Sequence, residues 1–128
     1  MEIGKSYTVE TVVDQTNTAA AMGSGTLDVF ATPAMIAQME LAACTLLSEM
    51  LEASQSSVGT KIDVSHSSAT PVGMKIYATA KITAVDRRRV DFEVSASDEA
   101  GEIGVGTHTR FIVDIDKFMG KAAQKKAE

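Results

Sequence analysis

Three side chains in this sequence combine a reactive type with an unusual setting: Glu40, His66 and Thr32. Glu40 interrupts "VFATPAMIAQMELAACTLLSEML", residues 29–51, a run rich in Ala, Leu, Met and Ile. Read as a helix, its neighbours at minus four, minus three, plus three, plus four and plus seven are Ile36, Ala37, Ala43, Cys44 and Leu47. All are apolar, so Glu40 is expected in the middle of the apolar stripe, opposite Gln38, Thr45 and Glu49. A carboxylate buried there costs several kcal/mol unless it finds partners or becomes neutral. Such a group suits a general base or acid near neutral pH. The structural alternative is a glutamate bonded to backbone or reaching a wet subunit interface.

His66 closes an alternating run. Val58, Thr60, Ile62, Val64 and His66 are expected to share the core-facing side of a strand, with Lys61, Asp63 and Ser65 on the other. A satisfied core histidine would explain it equally well. Together with an apolar-face glutamate, however, it makes the pair that acid–base or nucleophilic catalysis uses. Thr32 precedes Pro33, which is favoured at a first helical position, so Thr32 reads first as an N-cap. The helix start behind it offers free N–H groups that can polarise a carbonyl or hold an oxyanion.

Other candidates carry less. Cys44 reads as a small buried filler. "GSG" at 23–25 lacks the strand and spacing of a dinucleotide fingerprint, and no G-x-S-x-G elbow is present. The 2 histidines lack the accompanying Cys or spaced carboxylates of a catalytic metal site. "DRRR" reads as a solvated turn that could also attract a phosphate-bearing substrate. Gly104 and Gly106 within a strand suggest a bulge or close backbone approach.

These residues must be positioned by a small set of elements. "YTVETVV", residues 7–13, reads as a strand. Residues 14–28 form a long connection with a helical turn near Thr18–Met22, and loops of that length are often functional. A helix follows from Pro33 to about Leu51 or Glu52. Then come strands from about Val58, from Met74 to Val85, around Val90–Ala96 and from about Ile103 to Ile115, with tight turns at "DRRR" and "DEAGE". Residues 118–128 read as a frayed tail. Strands grouped apart from one long helix indicate an α+β domain with an antiparallel sheet. A helix of mostly apolar character must be covered on nearly all sides, which a curved sheet wrapped around it would do.

Composition sets the outer bounds. A chain of 128 residues makes one domain, 1–128, with room for a core. Tryptophan is absent and only 5% of residues are aromatic, so core volume must come from Val, Ile, Leu, Met and Ala. A net charge of −5 argues against nucleic acid and against an anionic membrane surface. No apolar run is long enough to span a bilayer, and the first residues lack a signal-peptide core. One cysteine excludes an intrachain disulfide. The expected location is the cytoplasm.

"VFATPAMIAQME", "GTKIDVSHSSATPVG" and "EIGVGTHTRFIVD" resemble the fluoroacetyl-CoA thioesterase-like family of hotdog-fold proteins, over about residues 5–118. The resemblance implies a hotdog fold, a curved antiparallel sheet around one long central helix. It implies hydrolysis of acyl-CoA thioesters by a homodimer or a dimer of dimers, with coenzyme A as part of the substrate and no separate cofactor. By resemblance, Thr32, Glu40 and His66 match the family's catalytic set. Gly59 and Arg110 match residues that help to place the thioester and the CoA part. The fluoroacetyl-CoA enzyme carries extra phenylalanines before its "VFAT" block, as a lid over the acyl group. Here the segment reads "GSGTLDVFAT", with Phe30 kept and the other aromatics missing. A broader or different short acyl group is the expectation.

Thr32 and Glu40 lie eight positions apart, about 12 Å along a helix. Two groups that far apart cannot easily touch one carbonyl, so either the chain enters the helix with a bend or the site mixes residues of two subunits; the second is expected, at a twofold interface. Rival readings are an acyl-CoA or small-molecule binding protein without turnover, and a hotdog hydratase or dehydratase acting on a 3-hydroxyacyl or enoyl thioester.

Overall fold

A computed structural model of the chain describes residues 1–127, with side chains through Lys126. The elements, in order, are β1 (Ser6–Val12), α1 (Ala19–Met22), α2 (Thr32–Ser48), β2 (Gln55–His66), β3 (Lys75–Asp86), β4 (Arg89–Asp98), β5 (Gly101–Asp114) and α3 (Ile115–Ala123), followed by a 3₁₀ turn, Gln124–Ala127. The strands form one five-stranded sheet in the order β1-β3-β4-β5-β2, every neighbouring pair antiparallel. It curls around α2, so the α+β reading and the wrapped central helix hold.

The alternation seen in sequence explains the contact. Ile76, Ala78, Ala80 and Ile82 of β3 and Val90, Phe92, Val94 and Ala96 of β4 are all buried. The alanines keep the sheet surface low beneath the helix. From α2, Met35, Met39, Leu46 and Leu47 are fully buried, each worth about 1.5–3 kcal/mol of transfer free energy. Gly104 gives the helix room: a Cβ there would lie 2.6 Å from Met35 Sδ.

Four expectations need correction. The helix ends at Ser48, not at Leu51 or Glu52, because Met50 N–H turns back to the Leu47 carbonyl. Its N-cap is Ala31, not Thr32, and no side chain caps it. Thr32 is the first helical residue, and its hydroxyl is used elsewhere. The frayed tail is instead helical as far as it is described, residue 128 lying outside the described residues. Ile115, Phe118, Met119 and Ala122 recur at helical spacing and give α3 one apolar side. The fourth correction concerns β2. Gly59 pairs with Arg110 and Lys61 with Thr109, so Thr60 is an extra, bulged residue. The bulge switches parity: Ser57 and Gly59 face inward before it, Ile62, Val64 and His66 after it. Val58 pairs with exposed Phe111 on the outer face, away from His66.

The sheet leaves one side of α2 bare. Ala37 is exposed, Leu41 is 48% exposed, and Ile36, Glu40 and Cys44 are half-buried. This strip lies alongside the free edge of β2, the outermost strand on that side.

Candidate active site

The proline-led entry into α2 puts Thr32 at the first turn, and the end of β2 brings His66 to it. Thr32 Oγ1 and His66 Nδ1 are 2.7 Å apart. Freed from capping, the threonine hydroxyl is committed to the imidazole. His66 Nε2 is buried without a hydrogen-bond partner. Burial pushes the His66 pKa below its ordinary value, and a backbone contact from Ser68 opposes this more weakly. The ring is therefore neutral at pH 7, able to orient the hydroxyl without placing a charge beside it. The pair borders a pocket of about 270 Å³ whose other walls include Ala19, Val29, Phe30, Ser67 and Ala69. Phe30 is 2% exposed and tied through its backbone N–H to the Thr70 carbonyl. Thr70 in turn donates to Asp98 at 2.7 Å, and Asp98 accepts from the N–H groups of Ala100 and Gly101. This buried latch fixes the wall that follows His66.

Glu40 sits elsewhere. It is not sunk in the core of its own chain: its side chain is 41% exposed, on the bare strip of α2. Of the residues read as an apolar stripe around it, Ala43 and Leu47 are buried in the chain's own core, whereas Ile36, Ala37 and Cys44 lie toward the bare side. What faces Glu40 from the sheet is polar. Arg110 Nη1 lies 4.0 Å from Glu40 Oε2, at the edge of ion-pair reach. Gly59 explains itself here, since a Cβ would lie 2.8 Å from Glu40 Oε2 and 3.1 Å from His108 Cε1. Arg110 is 6% exposed and held from behind, Nε donating to Ser57 Oγ at 2.9 Å and Nη2 to the Ser57 carbonyl at 3.0 Å.

His108 and Ser57 were not singled out in the sequence. His108 is 2% exposed, stacks on Phe92, and donates from Nδ1 to the Lys61 carbonyl at 2.7 Å. That bond fixes the tautomer, leaving Nε2 to accept from Arg110 Nη1 at 3.2 Å. Burial lowers the His108 pKa. The Lys61 carbonyl raises it in opposition, Arg110 lowers it further, and Glu40 raises it. A signal was available: His108, Arg110 and Ile112 alternate along β5, which places two polar groups on a core-facing side.

One chain thus brings Thr32, His66 and Phe30 together at one end of the α2–β2 groove, and Glu40, Gly59 and Arg110 together further along it. It does not merge the two groups. Among the described residues, no group of three or more His, Cys, Asp or Glu is placed to hold a metal ion, and no helix is long and apolar enough to cross a membrane.

Comparison with known proteins gives a consistent result. The family described as "FlK: Fluoroacetyl-CoA-specific thioesterase" matches residues 13–116. A fluoroacetyl-CoA thioesterase from Streptantibioticus cattleyicolor is 42% identical over 98 residues, which is 77% of this chain and 70% of that protein. A solved structure of the fluoroacetyl-CoA thioesterase FlK superposes with a TM-score of 0.93 at 36% identity, covering 98% of this chain and 97% of that one. A Thermus thermophilus member of the thioesterase superfamily superposes with a TM-score of 0.91 at 27% identity, covering 98% and 93%.

Proposed function

The chain belongs to the fluoroacetyl-CoA-specific thioesterase family and hydrolyses acyl-CoA thioesters to the carboxylic acid and CoA, and on that premise we propose how its residues divide the work. The acyl group enters the pocket beside Thr32 and His66. His66 Nδ1–H donates to Thr32 Oγ1, which turns the threonine hydrogen toward the thioester carbonyl oxygen. Glu40 of the partner subunit takes a proton from water as the water oxygen bonds to the carbonyl carbon. The C–S bond then breaks, and the departing sulfur receives that proton. The reading needs no metal.

The observation that supports it is the split. Thr32–His66 and Glu40–Arg110 each lie along one bare groove, about 12 Å apart on the helix. A twofold axis near Ile36 on α2 would carry Thr32 of one protomer to Glu40 of the other. The matching point on β2, midway between His66 and Gly59, falls at Ile62–Asp63. A homodimer joined along the α2 strip and the β2 edge would satisfy both conditions, cover Leu41, and complete two identical sites. Pairing of such dimers and a cytoplasmic location belong to the same proposal.

The acyl group we propose is short and need not be fluorinated. The pocket walls are mostly small residues, with Phe30 and the His66 imidazole as the rings among the described residues. In a free-thiol assay across short acyl-CoA esters, acetyl- or propionyl-CoA is expected to be hydrolysed with kcat/KM at least comparable to that for fluoroacetyl-CoA. A fluoroacetyl preference of about 100-fold or more, some 2.7 kcal/mol, would overturn the broad-specificity reading. Binding of the esters without thiol release would favour a binding protein.

His108 and Ser57 are positioning residues in this scheme: they hold Arg110, and Arg110 stands against the carboxylate of Glu40. His108→Phe keeps a ring against Phe92 but removes the acceptor for Arg110. It is expected to lower kcat about tenfold with little change in KM. His108→Gln, whose carbonyl can accept from Arg110, should recover part of the loss. Wild-type kcat in the Phe variant would remove His108 from the scheme.

A further inference from the structure

One buried carboxylate takes no part in the chemistry above. Asp98, the last residue of β4, is 9% exposed, and its partner Thr70 is 0% exposed. A carboxylate and a hydroxyl withdrawn from water cost stability unless they are hydrogen-bonded. Both are. Thr70 Oγ1 donates to Asp98 Oδ2 at 2.7 Å, and Asp98 Oδ1 accepts from the N–H groups of Ala100 at 2.8 Å and Gly101 at 3.1 Å. The Thr70 hydroxyl foremost, and those N–H groups with it, hold the Asp98 carboxyl below the usual carboxylate range against the opposing effect of burial. The acceptor is therefore charged, and a charge-assisted bond is stronger than a neutral one.

Thr70 stands where two walls of the pocket beside Thr32 and His66 meet. One wall is the chain leaving β2, from His66 to Ala69; the other is the chain entering α2, with Val29 and Phe30. The first wall runs directly into Thr70. The second is tied to the same point: Phe30 N–H donates to the Thr70 carbonyl at 2.9 Å, and Val29 bridges to Pro71. At its near end the first wall is held by Ser67 N–H, which donates to the Ile103 carbonyl at 2.7 Å. At its far end the side-chain bond from Thr70 to Asp98 joins it to β4.

The consequence is one of size. A pocket of about 270 Å³ limits its occupant only while its walls stay in place. An added methylene changes kcat/KM by about tenfold or more in an apolar pocket of fixed shape. A wall that hangs from one side-chain bond recedes when that bond is lost, and longer chains then gain relative to short ones.

We propose that the Thr70–Asp98 hydrogen bond sets the upper limit on acyl length, with both residues acting as positioning residues that hold the pocket wall without touching substrate. This rests on the acyl-CoA reading above, and the test separates the two. Hydrolysis of acetyl-CoA is compared with hydrolysis of hexanoyl-CoA. Turnover of neither by the wild type would sink the thioesterase reading itself. The wild type is expected to favour acetyl-CoA by about 100-fold or more in kcat/KM; equal turnover of the two esters would leave no limit for the bond to set. Thr70→Val keeps the side chain's shape and removes the donor, and it should raise the hexanoyl-to-acetyl ratio of kcat/KM about tenfold. Thr70→Ser keeps the hydroxyl and should return the ratio to its wild-type value. Asp98→Asn replaces the charged acceptor by a neutral amide and should raise the ratio about threefold, which carries the test if Thr70→Val does not fold. Ile82→Val trims a fully buried side chain at the other end of β3 from Ile76, the pairing partner of Asp98. It should lower the melting temperature and leave the ratio alone. An unchanged ratio in whichever of Thr70→Val and Asp98→Asn folds, an equal rise in Ile82→Val, or no recovery in Thr70→Ser would each overturn the assignment.

Discussion

Glu40→Gln lowers kcat for acyl-CoA hydrolysis by about 10³-fold while the protein stays folded. Glutamine matches the shape of glutamate but cannot take a proton from water. Arg110 keeps its bonds to Ser57 and its contact with His108, so the buried cation is not left stranded and stability changes little. Because Glu40 is 41% exposed in the single chain, its replacement does not unsettle the chain's own core. Steady-state kinetics beside a thermal melt checks both halves of this prediction. Activity within about tenfold of the wild type would take Glu40 out of the chemistry. Mass spectrometry after a quench tests the role itself: an acyl adduct on Glu40 would make it a nucleophile rather than a base for water.

Thr32→Ala and Glu40→Ala proteins, each nearly inactive alone, recover about a quarter of wild-type activity when mixed and allowed to exchange subunits. The figure follows from symmetry. Random exchange makes about half of the dimers mixed, and each mixed dimer has one site with both residues intact and one with neither. If both residues served the same chain's site, every site would lack one of them and no activity would return. Native mass spectrometry establishes that exchange took place. Exchange without recovery would end the shared-site reading.

Much of this arrangement was legible in the residues, and the misreadings share a physical cause. Period two marked β3 and β4, and Thr32-Pro33 marked where α2 begins. The 3.6 period correctly grouped Ile36, Glu40, Cys44 and Leu47 along the helix. It could not say which side of an apolar helix its own sheet covers, because periodicity and composition are the same for a covered apolar side and a bare one. Glu40 was therefore placed inside when it lies on the bare strip. In β2 the pattern failed at Thr60, since a bulge changes pairing without changing composition. Nothing in "SSVGTKIDV" separates Val58 from Ile62 by type, yet they face opposite ways. Arg110 was named as a site residue through family resemblance, while its alternation with His108 and Ile112 along β5 was the unread sign of its burial. Its dependence on Ser57 and His108 came from the register of β2 against β5. Ile115, Phe118, Met119 and Ala122 carried a helical signal that the charged residues around them obscured.

Thr60 also bears on how such an enzyme can change over generations. It divides β2 into two reading frames. Losing that one codon would turn Ser57 and Gly59 outward and strip Arg110 of its anchor, while Ile62, Val64 and His66 kept their orientation. The carboxylate's support and the hydroxyl–imidazole pair thus occupy separately editable halves of one strand. Point changes upstream of the bulge can retune one half of the chemistry without rewriting the other. A gain or loss of length at the bulge would instead turn one half of the strand over against the other.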